Sequence, residues 1–249
     1  MIKYSVSLKK FAGRMLRRHS IIFFSASALC AQINVSDELR SQVALSILNS
    51  VRGAEYSAQK DAINAFEQKI TKFQPEDREA ADLLEFFGTQ GTKVAEKKGS
   101  LIVNNFPDIR AKACVLLGQL GGDFARNACI AIVTAEVDSP AQTADVLARG
   151  YNALGIIGDD DQYRASKAVI NSFHMTRDRY SRVYEIMVLN CVLSLESLAL
   201  KMPLPVAEHL GILRTIKGII AEEKTIRSYN SGIYDQAKKS LTKIMMNAL

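Results

Sequence analysis

The stretch Pro107-Asp108-Ile109-Arg110-Ala111-Lys112-Ala113-Cys114-Val115-Leu116-Leu117-Gly118-Gln119-Leu120-Gly121-Gly122-Asp123 decides the fold, because its pattern returns thirty-seven residues later. At that offset Asp108 falls on Asp145, Leu117 on Leu154, Gly118 on Gly155, Leu120 on Ile157, Gly121 on Gly158 and Asp123 on Asp160. Beyond the turn, Ala128 meets Ala165, Ala131 meets Ala168 and Ile132 meets Val169. A period in this range, carried by helical residues, marks a stacked array of helix pairs. Ala113, Leu116, Leu117 and Leu120 are spaced i, i+3, i+4, i+7, which places them on one helical face. Gly121-Gly122 is expected to end that helix in the left-handed conformation glycine allows. Asp123 is then expected to cap a second helix, with Ala125, Ala128, Ala131, Ile132 and Ala135 turned inward. Gly118 and Gly155 fall inside helices, where each costs about 1 kcal/mol relative to Ala. The same cost at the same place in both copies predicts a helix crossing too close for a side chain.

Asp108-Ile109-Arg110-x-x-Ala113-x-x-Leu116-Leu117-Gly118-x-Leu120-Gly121 resembles the first-helix signature of HEAT repeats, above all the short bacterial HEAT-like kind. The resemblance covers Pro107–Phe173 and implies an all-α fold, a right-handed α-solenoid of antiparallel helix pairs. It also implies that Asp108 and Arg110 join neighbouring repeats and that second helices line the concave surface. The second copy carries Asp145 and Val146 but has Leu147 where the family expects Arg, so the polar ladder is not expected to continue there. Most members of the family are binding scaffolds.

Weaker copies flank the pair. Upstream, Phe87-Gly88 aligns with Leu117-Gly118 at an offset of thirty, and Val94, Ile102 and Val103 with Phe124, Ile132 and Val133, so a degenerate repeat is expected. Downstream, Tyr184–Leu200 reads as a core helix, followed by a partner through Leu210, Leu213, Ile216 and Ile220. A last helix, Ile233–Leu249, turns Ile233, Ala237, Leu241, Ile244 and Met245 inward and Lys238, Lys239 and Lys243 outward, as a terminal cap does. Residues 32–249 are thus expected to form one domain of about four to five helix pairs.

Residues 1–31 hold six Lys or Arg and no acid, then the apolar run Ile21–Leu29 and a small-residue exit. These are the parts of a cleaved export signal, with Met15 as an alternative start and cleavage expected near Ala31–Gln32. The apolar run is shorter than the about 20 residues a membrane span requires. The expected destination is the periplasm or cell envelope; a mitochondrial matrix address and a lipid anchor at Cys30 are the alternatives. Those six cations equal the whole formal charge of +6, so the remainder is neutral and the argument for nucleic acid binding falls away. Cys114, Cys129 and Cys191 sit at helical positions among apolar neighbours as small buried hydrophobes, and a Cys114–Cys129 bridge is left open because spacing supplies no distance.

The chemistry of a site is scarce. His174 and His209 lack zinc-ligand spacing, Asp159-Asp160-Asp161 reads as an inter-helix loop ending in a cap, and Gly118, Gly121 and Gly122 do not form a phosphate loop. No catalytic residue, metal or cofactor is assigned. A contact stripe does emerge on the second helices, comprising Arg126 and Ile130 in one copy and Tyr163, Lys167, Asn171 and His174 in the next. Arg, Tyr and an aliphatic residue together suit a protein-binding patch. The expected function is therefore a non-catalytic, exported scaffold or adaptor that holds a protein or peptide. The alternative is an enzyme with a small-molecule pocket between helices, like lyase relatives of the HEAT family; a deep pocket with convergent polar groups would favour it.

Overall fold

The computed structural model describes residues 37–93, 95–140, 142–177, 184–201, 206–224 and 229–247. The expected leader, with Met15, Cys30 and the expected Ala31–Gln32 cleavage point, lies outside the described residues, as do Val94 and residues 202–205. Among the described residues ten helices follow one another: α1 Asp37–Val51, α2 Tyr56–Glu67, α3 Arg78–Gly88, α4 Pro107–Leu120, α5 Gly122–Asp138, α6 Ala144–Ile157, α7 Arg164–Arg177, α8 Glu185–Lys201, α9 Val206–Ala221 and α10 Ser231–Asn247. Short 3-10 turns lie at Ile70–Lys72 and Glu222–Lys224.

The helices pack largely between sequence neighbours. One row of contacts runs α1 to α3, α5, α7 and α9, and the other runs α2 to α4, α6, α8 and α10. The buried apolar side chains form a single cluster that reaches from Val43 on α1 to Ile244 on α10. Leu117 and Leu154 lie fully buried at matching places on α4 and α6. Among the described residues, no helix is long and apolar enough to cross a membrane.

Local chemistry sets the boundaries of the central helices. Pro107 opens α4 at a first-turn position whose amide needs no partner, and Asp108 adds a carboxylate where the helix dipole favours one. The helix stops at Gly121, whose φ of 72° no β-carbon tolerates well and whose amide donates to the Leu117 carbonyl at 3.0 Å. Gly158 repeats the arrangement after α6, with φ 96° and a 2.9 Å bond to the Leu154 carbonyl. Asp123 does not cap α5 as expected. Gly121 occupies the cap position, and the Asp123 carboxylate turns instead to the Arg126 guanidinium at 2.8 Å.

The helix crossings explain the interior glycines. A β-carbon on Gly118 would lie 3.3 Å from the Ala153 Cα on α6, and one on Gly155 only 3.0 Å from the Ser194 Cα on α8. Each glycine therefore meets the backbone of the next helix in its row. The contact expected from the repeated cost is present twice.

Upstream, the expected degenerate repeat fails. Ile102 lies in a two-residue strand, β2 Leu101–Ile102, paired antiparallel with β1 Lys97–Lys98, so Lys97 faces Ile102 and Lys98 faces Leu101. Gly88 on α3 packs against Ile132 on α5, in the other row from Gly118. The reason is local: Lys97-Lys98-Gly99-Ser100 is turn chemistry with Gly99 at φ 66°, which breaks any helix through Ile102 and Val103.

Candidate functional site

Two kinds of polar construction organise the molecule, one buried and one exposed. The buried one centres on Arg110, whose side chain is 0% exposed. Its guanidinium donates to Glu136 at 3.1 and 3.3 Å, to the Gln90 carbonyl at 3.0 Å and to Asn105 Oδ1 at 2.5 Å. Glu136 in turn accepts from the Thr143 amide at 2.5 Å. One side chain on α4 thereby ties the end of α5, the entry to α6 and the hairpin segment. Burial raises the Glu136 carboxyl above the ordinary range, while Arg110 and the Thr143 donors pull the other way. Asp108 reaches back to α2, accepting from the Tyr56 hydroxyl at 2.5 Å and lying 3.5 Å from Lys60. At the matching place on α6, Leu147 is buried among apolar side chains and Asp145 pairs with Arg149 at 3.5 Å within its own helix.

The exposed construction is the side of α5, α7 and α9 that holds the candidate contact residues. Lys167, Asn171 and His174 are exposed along α7, and Tyr163 stands half-buried just before it. Polar pairs join α7 to α9 and the turn after it: Lys167 to Glu208 at 3.4 Å, His174 Nε2 with Thr215 Oγ1 at 3.2 Å, and Arg177 to Glu222 in the 3-10 turn at 3.3 Å. Tyr163 has φ 55°, a left-handed conformation unusual for a side-chain-bearing residue. It is held by its amide on the Asp160 carbonyl at 2.9 Å and by its own carbonyl accepting from the Lys167 amide at 3.1 Å.

The aspartates before Tyr163 build the start of α7. Asp159, only 7% exposed, accepts from the Ala165 and Ser166 amides at 2.9 and 3.0 Å and from the Ser166 hydroxyl. Asp160 accepts from the Arg164 amide at 3.1 Å and its guanidinium at 2.5 Å. Burial works against the charge on Asp160, but the Arg164 donors and the nearby Arg126 outweigh it and hold its carboxyl below the usual range. These two carboxylates are engaged with backbone amides, as helix-capping groups are.

Arg126 corrects the sequence expectation. It is 7% exposed and belongs to the interior seam, where its Nε donates to the Gly158 carbonyl at 3.0 Å and its Nη1 to Asp123 at 2.8 Å. It braces α5 against the turn between α6 and α7 and does not stand on the outer face. Ile130 is half-buried and packs on the core. Spacing alone placed both on the stripe; the carbonyl that draws Arg126 inward comes from a residue 32 positions away. Leu210, expected inside, is 50% exposed, while Ile212, Ile216 and Ile219 are buried. Arg214 and Lys217 are exposed as well, and the spacing Leu210, Arg214, Lys217 puts the three on one side of α9, away from the Glu208 and Thr215 side that pairs with α7. Met245, expected inside α10, is likewise 48% exposed.

A shallow basin of about 840 Å³, open to solvent, lies between the end of α8 and α10. Leu200, Lys238, Lys239, Thr242, Lys243, Met246 and Asn247 line it. Among the described residues, no group of three or more His, Cys, Asp and Glu is placed to hold a metal ion. No protein-family model, no curated protein and no solved structure matches the chain.

Proposed function

We propose that the chain is an exported, non-catalytic scaffold of the HEAT-like α-solenoid kind, whose α5–α7–α9 side holds a protein or peptide partner. The supporting observation is the tight glycine crossing made at the same place on α4 and α6. Contacts that recur between each helix and the next but one support the reading of an open stack, which would present a long face built from several units. On α7 and the turn before it, Tyr163 offers an aromatic anchor, Lys167 offers charge at the rim and Met175 adds exposed apolar surface, and on α9 Leu210 and Lys217 are exposed as well. The neutral charge outside the leader makes the attraction local.

The test is site-specific photo-crosslinking in the cell envelope. A crosslinking residue at Asn171, exposed on α7, is compared with one at Asn152, exposed on α6 in the other row. The partner is expected to be captured from Asn171 and to be lost when Tyr163→Ala is added. Equal capture from both positions removes the face from consideration. Titration of the captured partner should then show Tyr163→Ala weakening binding by more than about 1 kcal/mol. Alanine and tyrosine carry comparable backbone strain at φ 55°, so that loss reports the side chain and not the turn.

A further inference from the structure

The cysteines of α4 and α5 both border Gly150 in the core. Cys114 and Cys129 are both fully buried. The Cys129 thiol donates to the Gly150 carbonyl on α6 at 3.4 Å, and the Cys114 sulfur lies 3.8 Å from where a Gly150 β-carbon would stand. Both sulfurs thus border the same glycine, and Cys129 is close enough to help push the Cys114 thiol up. Cys191 lies elsewhere, fully buried on α8 beside Tyr151. A side chain at Gly150 would enter the space between Val133 and the Cys114 sulfur.

We propose that Cys114 and Cys129 are an intrachain redox pair, closing as a disulfide staple between α4 and α5 when the chain folds in the presence of a small-molecule or protein disulfide. The reaction is two exchanges. One thiolate attacks a sulfur of the donor disulfide and releases one donor thiol, leaving a mixed disulfide. The second thiolate then displaces the other donor thiol, and the two protons lost by the cysteines go to the departing sulfurs. Two protein thiols are oxidised and one donor disulfide is reduced. The neighbouring Cys129 and complete burial push the Cys114 thiol up and favour its protonated form in the folded state, so exchange is slow once the helices have docked. Closure therefore belongs to folding. The inference is independent of the partner-binding reading and survives its failure.

The experiment refolds the full-length chain from denaturant, once in a mixture of reduced and oxidised glutathione and once under a strong reductant. Remaining thiols are alkylated after renewed denaturation. Of the four cysteines in the chain, two are expected to resist alkylation after oxidative refolding, and none after reductive refolding. Arg126 separates the two cysteines, so trypsin should release their peptides joined and a reductant should part them. Cys191→Ala is expected to leave the bridge intact. The oxidised form should melt roughly 5 °C or more above the reduced form, as expected for a loop of about 15 residues closed without distortion. The same glutathione mixture applied to folded, reduced protein should close the bond at least tenfold more slowly. Separate alkylation of Cys114 and Cys129, a bridge from either to another cysteine, or a bridge that lowers the melting temperature overturns the proposal.

Discussion

At the scale of the residue, the structure reverses expectations that composition would set. Glycine to alanine in a helix normally gains about 1 kcal/mol. Gly155 leaves 3.0 Å to the Ser194 Cα, a backbone atom that yields only if two helices move. Gly155→Ala is therefore expected to destabilise by about 1–3 kcal/mol in urea denaturation. Gly218→Ala on α9, where a β-carbon meets nothing within 4 Å, should stabilise by about 0.4–1 kcal/mol. Two alanines of the same sign would refute the crossing. Arg126 behaves in the same contrary way: a long cation is ordinarily at home in water, yet this one satisfies the Gly158 carbonyl. Arg126→Ala is expected to cost about 1–3 kcal/mol by leaving that carbonyl without its donor. Lys167→Ala, at an exposed position, should stay within about 0.5 kcal/mol.

At the scale of the element, the buried guanidinium and the capped helix start make opposite statements about charge. Arg110→Met strands the Glu136 carboxylate at 0% exposure and should cost about 3–5 kcal/mol, with most of it recovered when Glu136 is also made apolar. Thermal melts of the single and double variants decide this. Asp160 titrates in the ordinary direction for a stabilised carboxylate. Its folded pKa is lowered, so its contribution is fully present above the unfolded Asp value of about 3.9 and is lost as pH falls through the folded value. Asp160→Asn should thus be less stable than the native chain at pH 6, with the gap narrowing by pH 3. A gap of constant width across that range would mean the Asp160 charge does not contribute to holding α7. The helices themselves were legible because the α4–α5 pair is written again as α6–α7, and a doubled pattern turns a weak local preference into a comparison. The hairpin at Lys97–Ile102 was not, since its apolar residues mimic helical spacing and only the Gly99 turn contradicts it. Leu210 was misplaced because α9 carries apolar residues on more than one side, and its inner face is decided by what α7 and α8 present to it.

At the scale of the whole molecule, the core is one cluster assembled from short-range meetings. Leu117 and Leu154 stand at equivalent buried places, so Leu→Ala at either should cost about 2–5 kcal/mol by lost transfer energy and cavity formation. Equilibrium unfolding of the two variants should agree within about 1 kcal/mol, since the surroundings repeat. The contact face was the least legible part of the chain: periodicity says which residues share a side of one helix, and not whether a neighbouring turn will claim one of them, as Gly158 claims Arg126. The pattern of contacts, with each helix packed on the next but one and most on the next, carries a mechanical meaning as well. If the helices stack as the proposed solenoid, tension along the chain would peel off the terminal helix first and then the one before it, each yielding a small length of slack under a modest load. Such a stack would give under strain like a ratcheted tether, and would re-spool in the reverse order when the pull is released.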